Sequence, residues 1–125
     1  MSGRKSNLKQ YQLVKNGDMS QASITSPVTN IANLDNIGIQ LNFTGSPTGT
    51  FQIQISADYN QDYQGNVENP GNWVPMVFST PPVASGSAGS VYLDIAELSA
   101  PWIRVVYVRA SGSGSLQAWI TGKMI

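Results

Sequence analysis

The stretch DYNQDYQGNVENPGNW, residues 58–73, sets Asp58, Asn60 and Asp62 at alternate positions with Gly65 just behind them. Oxygen-bearing side chains crowded into one tight turn are what a hard cation such as calcium selects. An EF-hand loop, however, needs Gly at its sixth position and a bidentate Glu at its twelfth. Here those places hold Tyr63 and Asn69, and no helix pattern flanks them. Asp58, Asn60 and Asp62 are therefore weak metal candidates, and the spacing favours a long, exposed hairpin excursion. Its end, Asn69 to Trp73 with Pro70 before Gly71, has the chemistry of a turn that feeds the next strand.

The aromatic residues Tyr59, Tyr63, Trp73, Trp102 and Trp119 offer a second chemistry, the stacking of exposed rings on the C–H faces of a sugar. Against this stands the large burial that such rings contribute in a core or an interface. Trp102 sits in an apolar strand pattern and is expected at such an interface. Trp119 runs out of phase with Leu116, Ala118 and Ile120, so one strand face carries it alone and presents it for contact. Tyr59 and Tyr63, on the excursion, are expected to touch a partner. Arg4, Lys5, Lys9 and Lys15 precede any acidic residue and are four of the seven basic side chains. Such a cluster suits an arm reaching for nucleic acid or an acidic surface. With a formal net charge of +0, a solvated terminus is favoured and nucleic acid is not an expected ligand. Residues 1–15 are read as this basic arm, with Arg4, Lys5 and Lys9 as contact candidates, and residues 16–125 as a single domain.

The residue types that are missing exclude more. The chain has no histidine and no cysteine, which removes Ser-His-Asp and Cys-His nucleophiles, thiolate and imidazole metal sites, and disulfides. Paired carboxylates and phosphate-loop spacing are missing too, so neither catalysis nor a cofactor is expected. No apolar run has the length of a bilayer span, and no apolar segment follows the first basic residues. These features predict a soluble protein made in the cytoplasm. Charged residues make up 11% of the chain, against about 25% in typical soluble domains. Ser, Thr, Asn, Gln and Gly must cover the surface instead, which suits packing against copies of the chain or against a scaffold.

Period-two alternation supplies the elements that would position these residues. Ile37, Ile39, Leu41 and Phe43 share one strand face, and Phe51, Ile53, Ile55 and Ala57 another, with Gln52 and Gln54 opposite. The Gly/Pro cluster between these runs predicts an antiparallel hairpin, and the short SGSG turn between WIRVVYVRA and SLQAWITGK predicts a second. WIRVVYVRA is apolar on both faces, Ile103, Val105 and Tyr107 on one and Trp102, Val106 and Val108 on the other. Such a strand is central and covered on both sides, by a loop, the N-terminal arm or another subunit. One helical turn fits around Ala96 to Leu98 before Pro101 stops it. The expected fold is all-β, an antiparallel β-sandwich or jelly roll of about seven to eight short strands. Its expected core is Ile39, Leu41, Phe51, Ile53, Ile103, Val105, Leu116 and Ile120.

Residues 50–123 carry a resemblance. A strand ends in Ser56-x-Asp58, a loop leads to a strand with Trp73, and a Leu93–Leu98 segment precedes Pro101–Trp102–Ile103–Arg104–Val105. A Gly/Ser turn and a closing Ile120–Lys123 segment follow. This order resembles small bacteriophage virion structural proteins of the head-decoration or tail- and vertex-associated type. The resemblance implies a β-rich structural role in a particle, made in the host cytoplasm, with copies of itself and other virion proteins as partners. It implies no catalytic residue. The other function class compatible with the residues is a carbohydrate-binding β-sandwich module using the loop aromatics.

Overall fold

The computed structural model describes residues 8–95 and 100–124, and among them the chain is all-β with every strand pairing antiparallel. The chain enters a first sheet as β1 (Leu8–Asp18) and gives two short pieces, β2 (Ser23–Thr25) and β3 (Thr29–Asn30), to a second. It returns to the first sheet as β4 (Leu34–Phe43) and crosses to the second as β5 (Thr48–Ser56). A separate ribbon, β6 (Asn60–Gln61) and β7 (Val67–Asn69), occupies the excursion, and β8 (Val74–Pro75) and β9 (Val83–Ser85) both pair with β5. Then β10 (Gly89–Ile95) joins the first sheet, β11 (Trp102–Ser111) the second, and β12 (Ser115–Met124) the first. The strand order is β1-β12-β4-β10 in one sheet and β2-β11-β5-β8 in the other. The sequence expectation of an antiparallel sandwich describes this fold. The helical turn expected around Ala96 to Leu98, and Arg4 and Lys5 of the expected arm, lie outside the described residues.

All eight expected core residues are buried. Ile37, Ile39, Leu41 and Phe43 of β4, with Leu116, Ala118 and Ile120 of β12, face Phe51, Ile53, Ile103, Val105 and Tyr107 of the second sheet. The alternation of β5 holds only as far as Ile55, because Ser56 turns inward and Ala57 is exposed. Residues 8–15 of the expected arm are the first part of β1, paired with β12 from Leu8 opposite Lys123 to Asp18 opposite Ser115. Register shifts on either side of Val14 let the neighbours Leu13 and Val14 both turn inward. That irregularity is why the upstream pattern reads weakly.

Both expected hairpins are corrected. β4 and β5 lie in different sheets, as do β11 and β12. Each pair is an arch that folds over from one layer to the other. Alternation cannot separate the two outcomes, because in both the in-phase side chains end up facing the core. The two arches are stacked instead: β4 pairs with β12 and β5 with β11. Their turns dock backbone to backbone, Thr44 N–H donating to the Ser115 carbonyl at 3.0 Å and Ser46 N–H to the Ser113 carbonyl at 2.9 Å. Glycine permits the approach. A Cβ on Gly112, which has φ of 76°, would lie 2.0 Å from the Ser46 carbonyl oxygen, and one on Gly114 would lie 1.9 Å from that of Thr44.

Gly112→Ala should therefore be far more destabilising than Gly65→Ala. Gly65 also has positive φ, 88°, but a Cβ there meets nothing within 4 Å, so only the backbone cost of about 1–2 kcal/mol applies. Chemical denaturation of both variants is the measurement, and equal losses would remove the arch docking from its central place.

Candidate interaction faces

The excursion is held down at its neck. Ser56, buried at the end of β5, donates from Oγ to Asp58 at 2.8 Å and accepts Tyr59 N–H at 3.0 Å. Asp58 also accepts the backbone N–H and the side-chain amide of Asn72, both at 2.8 Å. These bonds clamp the two ends of the loop together, where Gly71 passes so close to Tyr59 that a Cβ would sit 2.8 Å from its backbone. The Asn72 backbone N–H, with Ser56 and the Asn72 amide, holds the Asp58 carboxyl at about 2, well below its ordinary value. At the tip, Asp62 accepts N–H groups of Gln64 at 2.8 Å and Asn66 at 2.9 Å and is likewise lowered, the Asn66 backbone bond leading. Asn60 turns to Glu68. The three calcium-spaced residues thus point to separate partners, and two of them meet N–H hydrogens. Among the described residues no three acidic side chains converge on one point.

The aromatic residues divide. Tyr59 is buried, edge-on to Trp102 at 4.8 Å between centroids and tilted against Trp73 at 5.6 Å. The Arg104 guanidinium lies 4.3 Å from the Trp73 ring centre and donates through Nε to Gln54 at 2.7 Å. This cluster is the cover over one end of the outer face of β11, and the loop supplies it. Tyr59 is therefore buried as part of the lid over the second apolar face of β11 rather than free for a partner, while Trp102 beneath it stays half-buried. Desolvation lowers the Arg104 pKa, yet a guanidinium keeps its charge at any ordinary pH. A ring and an amide take the place of the carboxylate such a cation usually finds. Val106 is half-buried and Val108 exposed beyond the lid. Tyr63 stands free at the loop tip, 95% exposed.

The outer face of the first sheet is of another kind. Across its four strands run Gln12, Trp119, Gln40 and Tyr92 in one row and Gln117, Asn42 and Ser90 in the next. The amides are tied to one another: Gln12 donates to Gln117 at 2.9 Å, Gln117 to Asn16 at 2.6 Å, Gln40 to Asn42 at 3.2 Å, and Ser90 to the same Asn42 oxygen at 2.8 Å. Tyr92 leans diagonally over Gly38, where a Cβ would meet its hydroxyl and ring carbon. Trp119 is half-buried in this face, as its odd phase implies. Lys9 stands on β1 opposite Gly122. Sequence reading singled out Trp119 but not Gln12, Gln40, Asn42, Tyr92 or Gln117. Their signal was the run of amides at the out-of-phase positions of β4 and β12.

The chain is thus an all-β, sandwich-like protein with one amide-lined flat face and one face capped by an aromatic loop. No family model matches it, and no curated protein matches it. Its fold is similar to a part of dimeric latent PorU from Porphyromonas gingivalis, with a TM-score of 0.45 and 12% identity over 94% of this chain. The chain spans 12% of the length of that structure.

The Asp58 clamp has a pH signature. Its folded pKa is depressed from 3.8 to about 2, so the stability it adds is complete above about pH 4 and lost as pH falls through 2. Asp58→Ala should lower stability at neutral pH and show a shallower decline between those values, read by urea denaturation with tryptophan fluorescence. A decline as steep as that of the wild type would mean the clamp contributes nothing.

Proposed function

We propose that the chain is a non-enzymatic structural subunit of a bacteriophage particle, decorating or completing the capsid or associated with the tail, and working through repeated protein–protein contacts. The observation that carries the contact role is the tied, uncharged amide face around Trp119. Side chains already held by their neighbours lose little freedom when a partner arrives, and neutral groups are cheaper to desolvate than charges. The particle assignment is supported by the resemblance of residues 50–123. Trp119 at the centre of the face, Tyr63 at the loop tip, and Arg4, Lys5 and Lys9 toward the N-terminus are the proposed contact residues.

A tagged copy expressed during phage growth tests this. Purified particles should contain it in many copies, and Trp119→Glu should reduce incorporation severalfold while the isolated domain keeps its melting temperature. Absence from particles, combined with glycan-array binding that is lost in Tyr63→Ala or Trp119→Ala, would transfer the assignment to a carbohydrate-binding module.

A further inference from the structure

A sheet edge exposes a row of unpaired backbone groups, and proteins that stay monomeric blunt such edges with bulges, lysines, prolines or very short strands. Three of the four edges here are blunted. β1 carries Lys9 and Lys15, two register shifts and Asn16 at φ of 52°. The β11 side of the second sheet is closed only by β2 and β3, three and two residues long, with Pro27 between them. The β5 side is closed by β8 and β9, two and three residues long, with Pro75, Pro81 and Pro82.

β10 is different. All seven residues from Gly89 to Ile95 pair with β4 without a register shift, and none is proline, lysine or arginine. Among the described residues its other edge pairs with nothing. Beside that edge a groove of about 500 Å³ opens between the sheets, with Val91 and Leu93 on one side and Phe78, Pro81, Pro82 and Val83 on the other. Val91 and Leu93 are only half-buried there, though they point to the core side.

We infer that β10 pairs antiparallel with β10 of a second copy of this chain, about a twofold axis through Tyr92. Tyr92 is the middle residue of the strand, so this register alone lets all seven residues pair. It sets Val91 against Leu93 of the other copy on the groove side, which closes the groove with apolar side chains. It sets Asp94, the strand's one charge, against Ser90 rather than against itself, so no like charges meet. On the outer side the two Tyr92 backbones face each other across the axis, and each ring leans inward over Gly38 of its own β4, which leaves the seam clear of it. The outer faces of the two four-stranded sheets then join into one surface, with Ser90, Tyr92 and Asp94 of each copy along the seam. The inference rests on the subunit reading and names its first contact.

The chain lacks cysteine, so Tyr92→Cys introduces a sole thiol at the proposed axis. Mild oxidation should convert most of that variant to covalent dimer. Gln40→Cys, one strand further in on the same row, would be separated from its copy by three strand spacings, about 14 Å, and should stay monomeric. In sedimentation the wild type should dimerise reversibly, and Tyr92→Lys should be monomeric with the melting temperature the wild type has at dilutions where it too is monomeric. Mixing Tyr92→Lys with Tyr92→Glu should restore the dimer. A wild type that stays monomeric at every concentration, or thiol variants that cross-link at equal rates, overturns the inference, whether or not another protein's strand takes the edge in a particle. A monomer that still enters particles sinks the β10 pairing and leaves the subunit reading standing. A β10 dimer never found in particles supports the pairing and sinks that reading.

Discussion

The fold hangs on the contact between two turns far apart in sequence. Where residues 44–47 meet residues 112–114, the chain crosses between layers twice at one place, and backbone meets backbone with no side chain between. Two hydrogen bonds there continue the ladders of both sheets around the bend, β4 with β12 on one side and β5 with β11 on the other. The contact thereby sets the register of both layers together, and with it which side chains face inward. Pro47, fully buried at this corner, stiffens one turn while glycine lets the other come close. Because the paired segments lie so far apart in the chain, loop-closure entropy opposes their meeting, and the topology belongs to the slow-folding kind.

From that register the two outer faces follow. β11 lies between neighbours in the second sheet and carries apolar residues on both sides, so its outer side must be covered. The excursion that leaves β5 at Ser56 returns over Trp102 and Arg104, with Tyr59 and Trp73 as its packing surface. The loop is anchored by hydrogen bonds to Asp58 at its neck, which leaves its tip free to carry Tyr63 outward. On the first sheet the outer positions hold Gln, Asn, Ser and Thr around Trp119 and Tyr92, with Asp94 on the β10 border, and no lid is required. The chain itself therefore covers one end of one sheet's outer face, while the other sheet offers a broad amide-lined plane.

Much of this was legible in the sequence because a single rule, alternation, marks a half-buried strand wherever it occurs. Ile39, Leu41, Ile53 and Ile120 could be assigned inward from period alone. The arches were not legible, since SGSG and TGSPTGT have the composition of hairpin turns and act as crossings only because each finds the other. Leu13 and Val14 were missed because bulges break the period that identifies a face. Tyr59 was placed on the surface because loop residues usually are there. Its burial depends on Trp102, more than forty positions away, which no local pattern reports. The amide face was half visible: Trp119 was conspicuous by phase, whereas glutamines at outward positions look like ordinary solvated residues until the sheet sets them side by side.

The shortage of charge connects these features. A surface of this composition has little electrostatic repulsion to keep copies apart, so what prevents indiscriminate sheet-to-sheet pairing must be geometric. Bulges twist β1, and prolines interrupt both borders of the second sheet. Where such devices are present, neutral surfaces can lie in water without sticking. Where they are missing, along β10, the same neutrality leaves nothing to oppose a partner strand. Specific association then needs no strong local attraction, only one straight edge on a molecule whose other borders are blunted.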